Sequence, residues 1–458
     1  MKINWLKKTG YIGALSLTLC GGVLAVATYN TSKISADSTE QVISQQTTVS
    51  SFNELSEALK DASVHVIKLG GDITFDRSIL NIPQRPVTIE GQGHNLTLGT
   101  HYISGAVGSK VGILTVKNTN ITNMSSTGNG VSKFFTASSE NWSINIAGNV
   151  NYSGERFLLV QNSVVTFSGK NKVDTGAENA WVRSIVFAPD SEYTSTAASK
   201  GQYSGFYFNG NLVNGKATGK VKVDKNAKVN ITVSPGSDKN FYYPAFYDKV
   251  DRIDVNEGAS LNISAAGHAL QFIPRADYDE VPSVNIANKA HLNLLSKGGG
   301  KYSAISFKQK DTQVNVNEGG SIYIEGNSPT LIETTHDNNS INVTNATYDF
   351  RNALPGGKIF KSTLNTRLSL NQVTLNTWGT TGGDYQEDPT NSWDKLSLST
   401  VIKGDTSSST VSTNPEAQKN FQMGNYGRIS GKFEKESNIE APVLNVVNDK
   451  DTQVTGFG

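Results

Sequence analysis

Two short acidic stretches carry the side chains best suited to chemistry on a charged substrate. "YDKVDRIDV" and "IPRADYDEVP" together contain Asp248, Asp251, Asp254, Asp277, Asp279 and Glu280. Clustered carboxylates bind a hard cation such as Ca²⁺, and Arg252 and Arg275 lie beside them as candidate bases. A Ca²⁺-dependent elimination on an acidic polysaccharide needs this combination. The alternative is a group of solvated loop charges, which is the more common situation of Asp and Glu.

A second group of candidates is aromatic. "GQYSGFYFNGN" and "NFYYPAFYDK" combine Tyr and Phe with Asn or Asp, and such side chains stack on sugar rings and bond to their hydroxyls. We predict that Phe206, Phe208 and Phe246 belong to the core instead. The predicted binding residues are Tyr203, Tyr207, Tyr242, Tyr243 and Tyr247.

The remaining motifs favour neither catalysis nor metal binding. The histidines are scattered without helical or repeat spacing, which argues against a metal site. "GQGHNLTL" has no acidic pair beside His94, although a glycoside hydrolase needs one. We therefore predict no catalytic residue, no metal and no other cofactor, with Ca²⁺ required only if the elimination hypothesis holds.

These candidates lie in a chain that repeats. "KVKVDKNAKVNITV", "RIDVNEGASLNISA" and "SVNIANKAHLNLLS" each show an alternating strand, a turn of small residues and a second alternating strand. A third apolar stretch, such as "HALQFI" or "YSAISF", follows each phrase. The first apolar residues recur about every 30 residues and are Val221, Ile253, Val284, Val314, Ile341 and Leu368.

Three strands in each repeat of about 30 residues predict an all-β solenoid, the parallel β-helix. Successive coils pair their backbones and direct alternate side chains into one core. A β-propeller blade needs about 40–50 residues, and immunoglobulin-like domains recur near about 100 residues. The period excludes both.

The turns between the paired strands predict stacked corners. Gly258 and Gly319 relieve the backbone there, and the small residues that follow leave room for the neighbouring coil. The adjacent Asn256 and Asn317 are either ordinary turn residues or members of an asparagine ladder.

The N-terminus is typical of an export signal. A basic stretch precedes an apolar run from Tyr11 to Ala27, and small residues follow. We predict a signal peptide over residues 1–36, with an uncleaved membrane anchor as the alternative. No second long apolar run follows, so we predict no membrane span after signal removal. Cys20 is the only cysteine, so the mature chain would contain no disulfide.

The rest of the chain divides by pattern. "SFNELSEALKDA" places Phe52, Leu55, Ala58 and Leu59 on one face of a short amphipathic helix, with Ser51 or Asn53 as its cap. We expect this helix to cap the first coil. The predicted divisions are a linker at 37–50, the β-helix at 51–378, a C-terminal cap with loops at 379–440, including a flexible loop near 406–414, and the start of an immunoglobulin-like module or a tail at 441–458.

The composition narrows the classes of partner. The 41 Lys and Arg residues nearly balance 40 Asp and Glu residues, giving a net charge of +1, so we predict no nucleic-acid partner. Charged residues make up only 18% of the chain, and Asn, Ser, Thr and Gly supply the polarity that suits exposed β-surfaces. A large cysteine-free exported chain is typical of Gram-positive bacteria.

The opening phrases resemble a known family. "FNELSEALKDASVHVIKLGGDITF", "PVTIEGQGHNLTL" and the coils after them resemble the pectate lyase-like adhesive domain of Gram-positive surface proteins, over roughly residues 52–378. The resemblance implies an extracellular, right-handed parallel β-helix that takes part in attachment and has no established catalytic set.

These observations predict an adhesin-like protein that is secreted or held at the cell surface or cell wall. It is expected to be non-catalytic and to present one face to an extracellular glycan or to a host or matrix protein. Two alternatives stay open: a Ca²⁺-dependent secreted polysaccharide lyase of the pectate lyase type, and a structural spacer in a larger surface protein.

Overall fold

The structure is a computed structural model of the chain. It describes residues 45–124, 132–198, 203–235, 242–380 and 388–433, and the short strand pair at 443–444 and 456–457. The predicted signal peptide and most of the predicted module at 441–458 lie outside these residues.

Strands dominate the described residues, and short helices lie near their two ends. The helices are α1 (Phe52–Lys60) and α2 (Pro415–Asn420), with a 3₁₀ turn at Met423–Asn425. The first strands are β1 (Gln45–Val49), β2 (Val64–Leu69), β3 (Ile73–Thr74), β4 (Ile79–Ile82), β5 (Pro86–Glu90), β6 (Asn95–Thr97), β7 (Ile103–Gly105), β8 (Gly112–Thr122), β9 (Lys133–Thr136), β10 (Trp142–Gly154), β11 (Arg156–Phe167) and β12 (Lys170–Thr175).

The middle strands are β13 (Ala180–Phe187), β14 (Glu192–Ala197), β15 (Phe206–Phe208), β16 (Gly219–Val223), β17 (Lys228–Val233), β18 (Phe246–Asp248), β19 (Val250–Val255), β20 (Ser260–Ala265), β21 (Leu270–Phe272), β22 (Ser283–Ile286), β23 (His291–Ser296) and β24 (Ile305–Phe307). The last strands are β25 (Gln313–Val316), β26 (Ser321–Gly326), β27 (Thr330–Thr334), β28 (Asn339–Thr344), β29 (Thr347–Asn352), β30 (Lys358–Gly379), β31 (Asn391–Gly404), β32 (Thr406–Ser412), β33 (Tyr426–Gly431), β34 (Val443–Leu444) and β35 (Gly456–Phe457).

Most strands pair in parallel with the strand one coil later, and these pairings form three sheets. Sheet 1 contains β2, β5, β16, β19, β22, β25 and β28. Sheet 2 contains β3, β6, β12, β14, β17, β20, β23, β26 and β29. Sheet 3 contains β4, β7, β9, β15, β18, β21, β24 and β27. Longer strands such as β11, β13 and β30 turn a corner and serve two sheets. The predicted parallel β-helix is confirmed.

Alternate side chains fill a single core between the sheets. The predicted core residues Phe206, Phe208 and Phe246 are fully buried, as are the apolar positions of β2 at Ile67 and Leu69. Val66 on the same strand is only half-buried. The pairing of β1 with β2 shifts by one residue at this point, and the shift turns Val66 off the inner surface.

The corner between sheets 1 and 2 uses the same backbone conformation in coil after coil. Gly258 and Gly319 have φ values of 70° and 73°, as their predicted role requires. Asn226 and Lys289 occupy the equivalent corners with φ values of 57° and 56°. Because a left-handed residue is needed at each turn, glycine or asparagine is favoured there, and Lys289 is the exception.

Asparagine ladders run along the outer surfaces of sheets 1 and 2. On sheet 1, Asn285 donates to Asp254 (2.9 Å), Asn315 to Asn285 (3.0 Å) and Asn342 to Asn315 (2.9 Å). On sheet 2, Asn262 donates to Asn230 (2.8 Å) and Asn293 to Asn262. Each amide thus uses its neighbours as partners, so the stack satisfies its own polar surface.

The turn residue Asn256, a candidate ladder member, instead donates to the Asp224 carboxylate (3.1 Å). The ladders lie on the strands, where in-register side chains are one coil apart. Of the two interpretations of Asn256, the structure therefore supports the turn residue, and the ladder members lie on the strands instead.

The N-terminal helix covers one end of the stack. α1 packs against β1, β2 and β4, and its four predicted apolar residues are buried. Ser51 is its N-cap and forms a capping box with Glu54, while the Phe52 and Phe75 rings lie edge to face at 5.2 Å. Residues 45–49, which the composition assigns to the linker, form β1, because the Thr-Thr-Val segment pairs with β2.

The other end is covered by antiparallel strands. β31 pairs with β30, β33 pairs with β29 and β30, and β32 pairs with β31. Residues 406–412, where a flexible loop was predicted, therefore form a strand, whose Ser and Thr side chains alternate along an edge. The antiparallel direction ends the parallel stacking of coils.

Candidate functional site

One outward-facing row on sheet 3 differs from its neighbours. In register, Leu159 is followed by Trp181, Tyr207 and Tyr247 on successive coils, and all four side chains are half-buried. The same row begins one coil earlier with Thr136. Three aromatic side chains thus follow one another on successive coils.

Trp181, Tyr207, Tyr243 and Tyr247 form what we call the aromatic strip. The Trp181 and Tyr207 rings meet edge to face at 5.0 Å, and Tyr207 lies 5.6 Å from Tyr247. Tyr243 packs edge to face on Tyr247 at 4.7 Å. These spacings follow the separation of adjacent strands, about 4.8 Å, because β13, β15 and β18 are neighbours in one sheet.

A buried ion pair supports the strip from one side. The Arg156 guanidinium lies 4.7 Å from the centre of the Trp181 ring and 2.6 Å from the Glu178 carboxylate. Both charged side chains are almost fully buried, so removing either partner would leave an uncompensated charge. The Trp181 indole N–H is buried and has no acceptor among the described residues, so the indole contributes to the strip through its ring surface.

Burial and nearby carboxylates raise the pKa of two tyrosine hydroxyls in the strip. Burial, followed by the nearby Asp248 carboxylate, raises the pKa of the Tyr207 phenol above its usual value, and Glu178 adds to the rise. Burial, then Tyr243 and Asp248, also raises the pKa of Tyr247. The hydroxyls therefore stay protonated and act as neutral donors and acceptors.

Asp248 ends β18 next to the strip in an unusual conformation. Its φ of 78° is rare for a residue other than glycine. Its carboxylate accepts from Arg275 at 2.6 Å, and Arg275 also pairs with Asp277 at 2.7 Å. No backbone pairing joins β18 to β21 within the described part of the chain. The Asp248–Arg275 pair connects β18 to the loop that follows β21 near this interruption.

The five predicted tyrosines fall into three groups. Tyr207, Tyr243 and Tyr247 are together in the strip. Tyr203 packs against the core near the Glu178 and Arg156 side chains. Tyr242 lies 5.5 Å from Tyr302 and donates its backbone N–H to the Tyr302 hydroxyl (2.9 Å), which places it in a different cluster.

Sequence reasoning did not select Trp181. Its signal was available, because Trp181 occupies the same outward position one coil before Tyr207. The early coils are less regular in sequence than the later ones, and aligning their third apolar stretches would have identified it.

The acidic stretches do not form the arrangement that elimination requires. Arg275 is held by Asp248 and Asp277, and Arg252 by Asp254 (2.8 Å) and Glu280 (3.2 Å). The hydrogen bonds that the two guanidinium groups donate to these carboxylates raise the pKa of both arginines, which keeps them protonated and unsuited to removing a proton. Among the described residues, no three His, Cys, Asp or Glu side chains are grouped to hold a metal ion.

Asp251 is the unusual member of the acidic group. Its side chain is fully buried, and neither carboxylate oxygen has a hydrogen-bond partner among the described residues. Burial raises the pKa of Asp251 to about 7, and the nearby Lys220 and the backbone of Glu280 offset part of the rise. Lys220 itself pairs with Glu280 at 2.6 Å.

A polar groove lies away from the strip, at the corner between sheets 1 and 2 in the early coils. It has a volume of about 390 Å³ and is lined by Gln92, Gly93, Asn118, Thr119, Asn120, Asn149 and Asn151. Asn151 donates to Asn120 (2.9 Å) and Asn120 to Asn95 (3.0 Å). Asparagine amides in the groove are therefore already hydrogen-bonded to one another, and no aromatic side chain lines the groove.

Comparison with known proteins finds a family match in the early coils. Residues 46–159 match the family described as "Putative pectate lyase-like adhesive domain". The predicted resemblance is confirmed there. The match runs from β1 into β11 and ends before the aromatic strip. No curated protein sequence matches the chain.

A solved structure, the SRRP of L. reuteri 53608, is similar at 16% sequence identity and a TM-score of 0.33, covering 70% of this chain and 95% of that one. A likeness at that score does not establish shared function.

The family match supports an adhesin-like role and, with it, an extracellular or cell-surface location and an extracellular partner. None of the helices in the described part of the chain is long and apolar enough to cross a membrane.

Proposed function

We propose that this protein is an exported, non-catalytic adhesin whose aromatic strip binds an extracellular glycan. The observation that carries the proposal is the in-register row of Trp181, Tyr207 and Tyr247 on the outer surface of sheet 3. Aromatic rings on an exposed sheet pack against the apolar faces of sugars, and the adhesive-domain match in the preceding coils supports an attachment role.

The surrounding groups suit hydroxyl recognition. The Tyr207 and Tyr247 hydroxyls are protonated, and the ion pairs of Arg156 and Arg275 fix carboxylate oxygens next to the rings. Pre-positioned polar groups around an apolar surface are typical of ligand sites, since little ordering is needed on binding. A row that spans successive coils suits an extended oligosaccharide, one sugar to a coil.

The test is glycan-array binding of the secreted chain, with Tyr247→Ala as the variant. Tyr323→Ala is the matched control, because Tyr323 also faces outward from a strand but lies on sheet 2 and bonds to Glu325. We expect Tyr247→Ala to weaken glycan binding about tenfold, which corresponds to ~1.4 kcal/mol, and the control to bind normally.

Glycan binding that survives Tyr247→Ala would place the binding surface elsewhere. Binding only to host or matrix proteins, with no glycan retained, would replace the ligand class in this proposal. Release of unsaturated uronic-acid products during the assay would revive the lyase alternative.

A further inference from the structure

The arrangement of charges around the aromatic strip indicates which class of glycan it accepts. From their arrangement we propose that the strip selects uncharged glycans and discriminates against polyanionic ones such as uronate polymers. This inference rests on the proposed function and adds the class of sugar that the same surface accepts.

The first observation is that the cations next to the rings are neutralised. Arg156 is paired with Glu178 at 2.6 Å, and Arg275 is held between Asp248 and Asp277. A guanidinium already engaged by a carboxylate has little attraction left for a carboxylate on a ligand. A uronate would have to displace a buried or half-buried acidic partner.

Two further cations lie near this region. The Lys249 ammonium donates to the Gly210 carbonyl (2.8 Å), and Arg183 lies at the corner where β13 leaves sheet 3, against Gly210. Both are on the side of the strip that faces sheet 1. Asp248, Asp277, Glu178 and the buried Glu155 balance these two and the paired arginines, so these eight charges sum to zero.

The second observation concerns the hydroxyl groups. The charged groups that act on the Tyr207 phenol are the Asp248 and Glu178 carboxylates. Tyr247 also experiences Asp248. Both carboxylates are paired with arginines, so the positions where sugar oxygens would bond offer little attraction to a carboxylate or sulfate, whereas the protonated hydroxyls can bond to those of a neutral sugar.

The third observation is geometric. Rings 5.0 and 5.6 Å apart along the stack form a continuous apolar surface, and burial against it costs more for a strongly hydrated anion than for a neutral pyranose face. Stacking and charge therefore favour the same ligand.

Matched glycan pairs separate charge from shape. Oligogalacturonate and its fully methyl-esterified form share one backbone, and chitosan and chitin oligomers share another. Affinity for the secreted chain would be measured by isothermal titration calorimetry. We expect the ester to bind at least about tenfold more tightly than the acid, and its affinity to change little up to about 0.5 M salt, where screening is strong. Chitin oligomers are expected to bind at least as tightly as chitosan.

A charge variant tests whether the Asp248 carboxylate causes the preference for the neutral ester. Asp248→Asn removes one negative charge and releases Arg275 from one partner, so the preference for ester over acid should fall several-fold. Asp254→Asn is the control, because Asp254 also pairs with an arginine but lies on sheet 1, and it should leave the preference unchanged. Thermal unfolding of each variant would show whether it retains the wild-type fold.

Tyr207→Ala separates this inference from the proposed function. If neither member of a pair binds, or if binding is insensitive to Tyr207→Ala, the proposed function fails. If binding depends on Tyr207 but the acid binds as tightly as the ester, or chitosan binds more tightly than chitin, the selection of neutral glycans is overturned while the binding surface stands.

Discussion

The outer surfaces of sheets 1 and 3 have the same stacking geometry, but their side chains differ in how they use it. On sheet 1, Asp254, Asn285 and Asn315 pass hydrogen bonds from coil to coil. On sheet 3, Trp181, Tyr207 and Tyr247 occupy an equivalent row and share only ring contacts. A ladder of amides consumes its own bonding capacity, whereas a row of rings leaves its apolar area and hydroxyls available. In a β-helix, the side chain repeated along a row decides whether that row stabilises the stack or faces a ligand.

The largest effect on glycan affinity is expected from converting the aromatic row of sheet 3 into an amide row like that of sheet 1. Tyr207→Asn combined with Tyr247→Asn replaces two rings by amides at in-register positions. We expect glycan affinity to fall about a hundredfold, since two stacking contacts of ~1.4 kcal/mol each are lost. Circular dichroism and glycan titration would be compared with wild type. A double variant that binds normally would contradict the functional difference between the rows.

Asp251 tests what an unpartnered polar group costs on sheet 1. Its carboxyl is favoured in the neutral form, so the free energy of unfolding of the wild type should fall as pH rises from about 4 towards 7. Asp251→Asn removes this penalty, and at about pH 8 we expect the variant to be more stable by on the order of 2 kcal/mol. The difference should disappear at about pH 4.

Thermal unfolding of both proteins across this pH range would check the Asp251 prediction. The charged groups near Asp251 are Lys220, Glu280 and Asp279. Glu280→Gln therefore serves as a control for a change in local charge. Equal midpoints for wild type and Asp251→Asn at both ends of the range would show that Asp251 is solvated.

A smaller effect is expected within the sheet 1 ladder. Asn315 donates to Asn285 and accepts from Asn342, so Asn315→Ala breaks the ladder at its centre and costs ~1 kcal/mol. The midpoint of thermal unfolding should fall by about 2 °C, with glycan affinity unchanged. Weakened binding in this variant would mean that the amide row also contacts ligand.

The smallest effect is expected from exposed ion pairs. Glu280→Gln weakens the contacts to Lys220 and Arg252, whose side chains are 41% and 40% exposed. Pairs of this kind contribute less than about 1 kcal/mol. We expect no measurable shift in the unfolding midpoint at moderate salt, and a shift comparable to that of Asn315→Ala would assign this cluster a structural role.

The sequence predicted the coil, but it did not predict which neighbours each side chain contacts. Period, alternation and turn glycines such as Gly258 predicted the fold, because each depends only on local spacing. An asparagine ladder was one of two interpretations of Asn256, but the sequence did not point to Asn285, because the register of a strand depends on its partner one coil away.

The candidate site was only partly predictable for the same reason. Tyr207 and Tyr247 were selected from composition, while Trp181 joins them only through cross-coil register. Tyr242 is adjacent to Tyr243 in the sequence, yet it packs against Tyr302. Likewise, Arg252 and Arg275 resembled free bases in the sequence, and their engagement by Glu280 and Asp248 comes from loops that meet in space.

The two covered ends of the stack have a consequence for association between copies of the protein at high concentration. In-register parallel strands about 4.8 Å apart are also the geometry of a cross-β fibril, in which each open end recruits the next chain. Here α1 and β1 block one end, and the antiparallel β31 and β33 block the other. These elements act as terminators of polymerisation, because they cover the parallel strands on which a second chain could otherwise extend the stack.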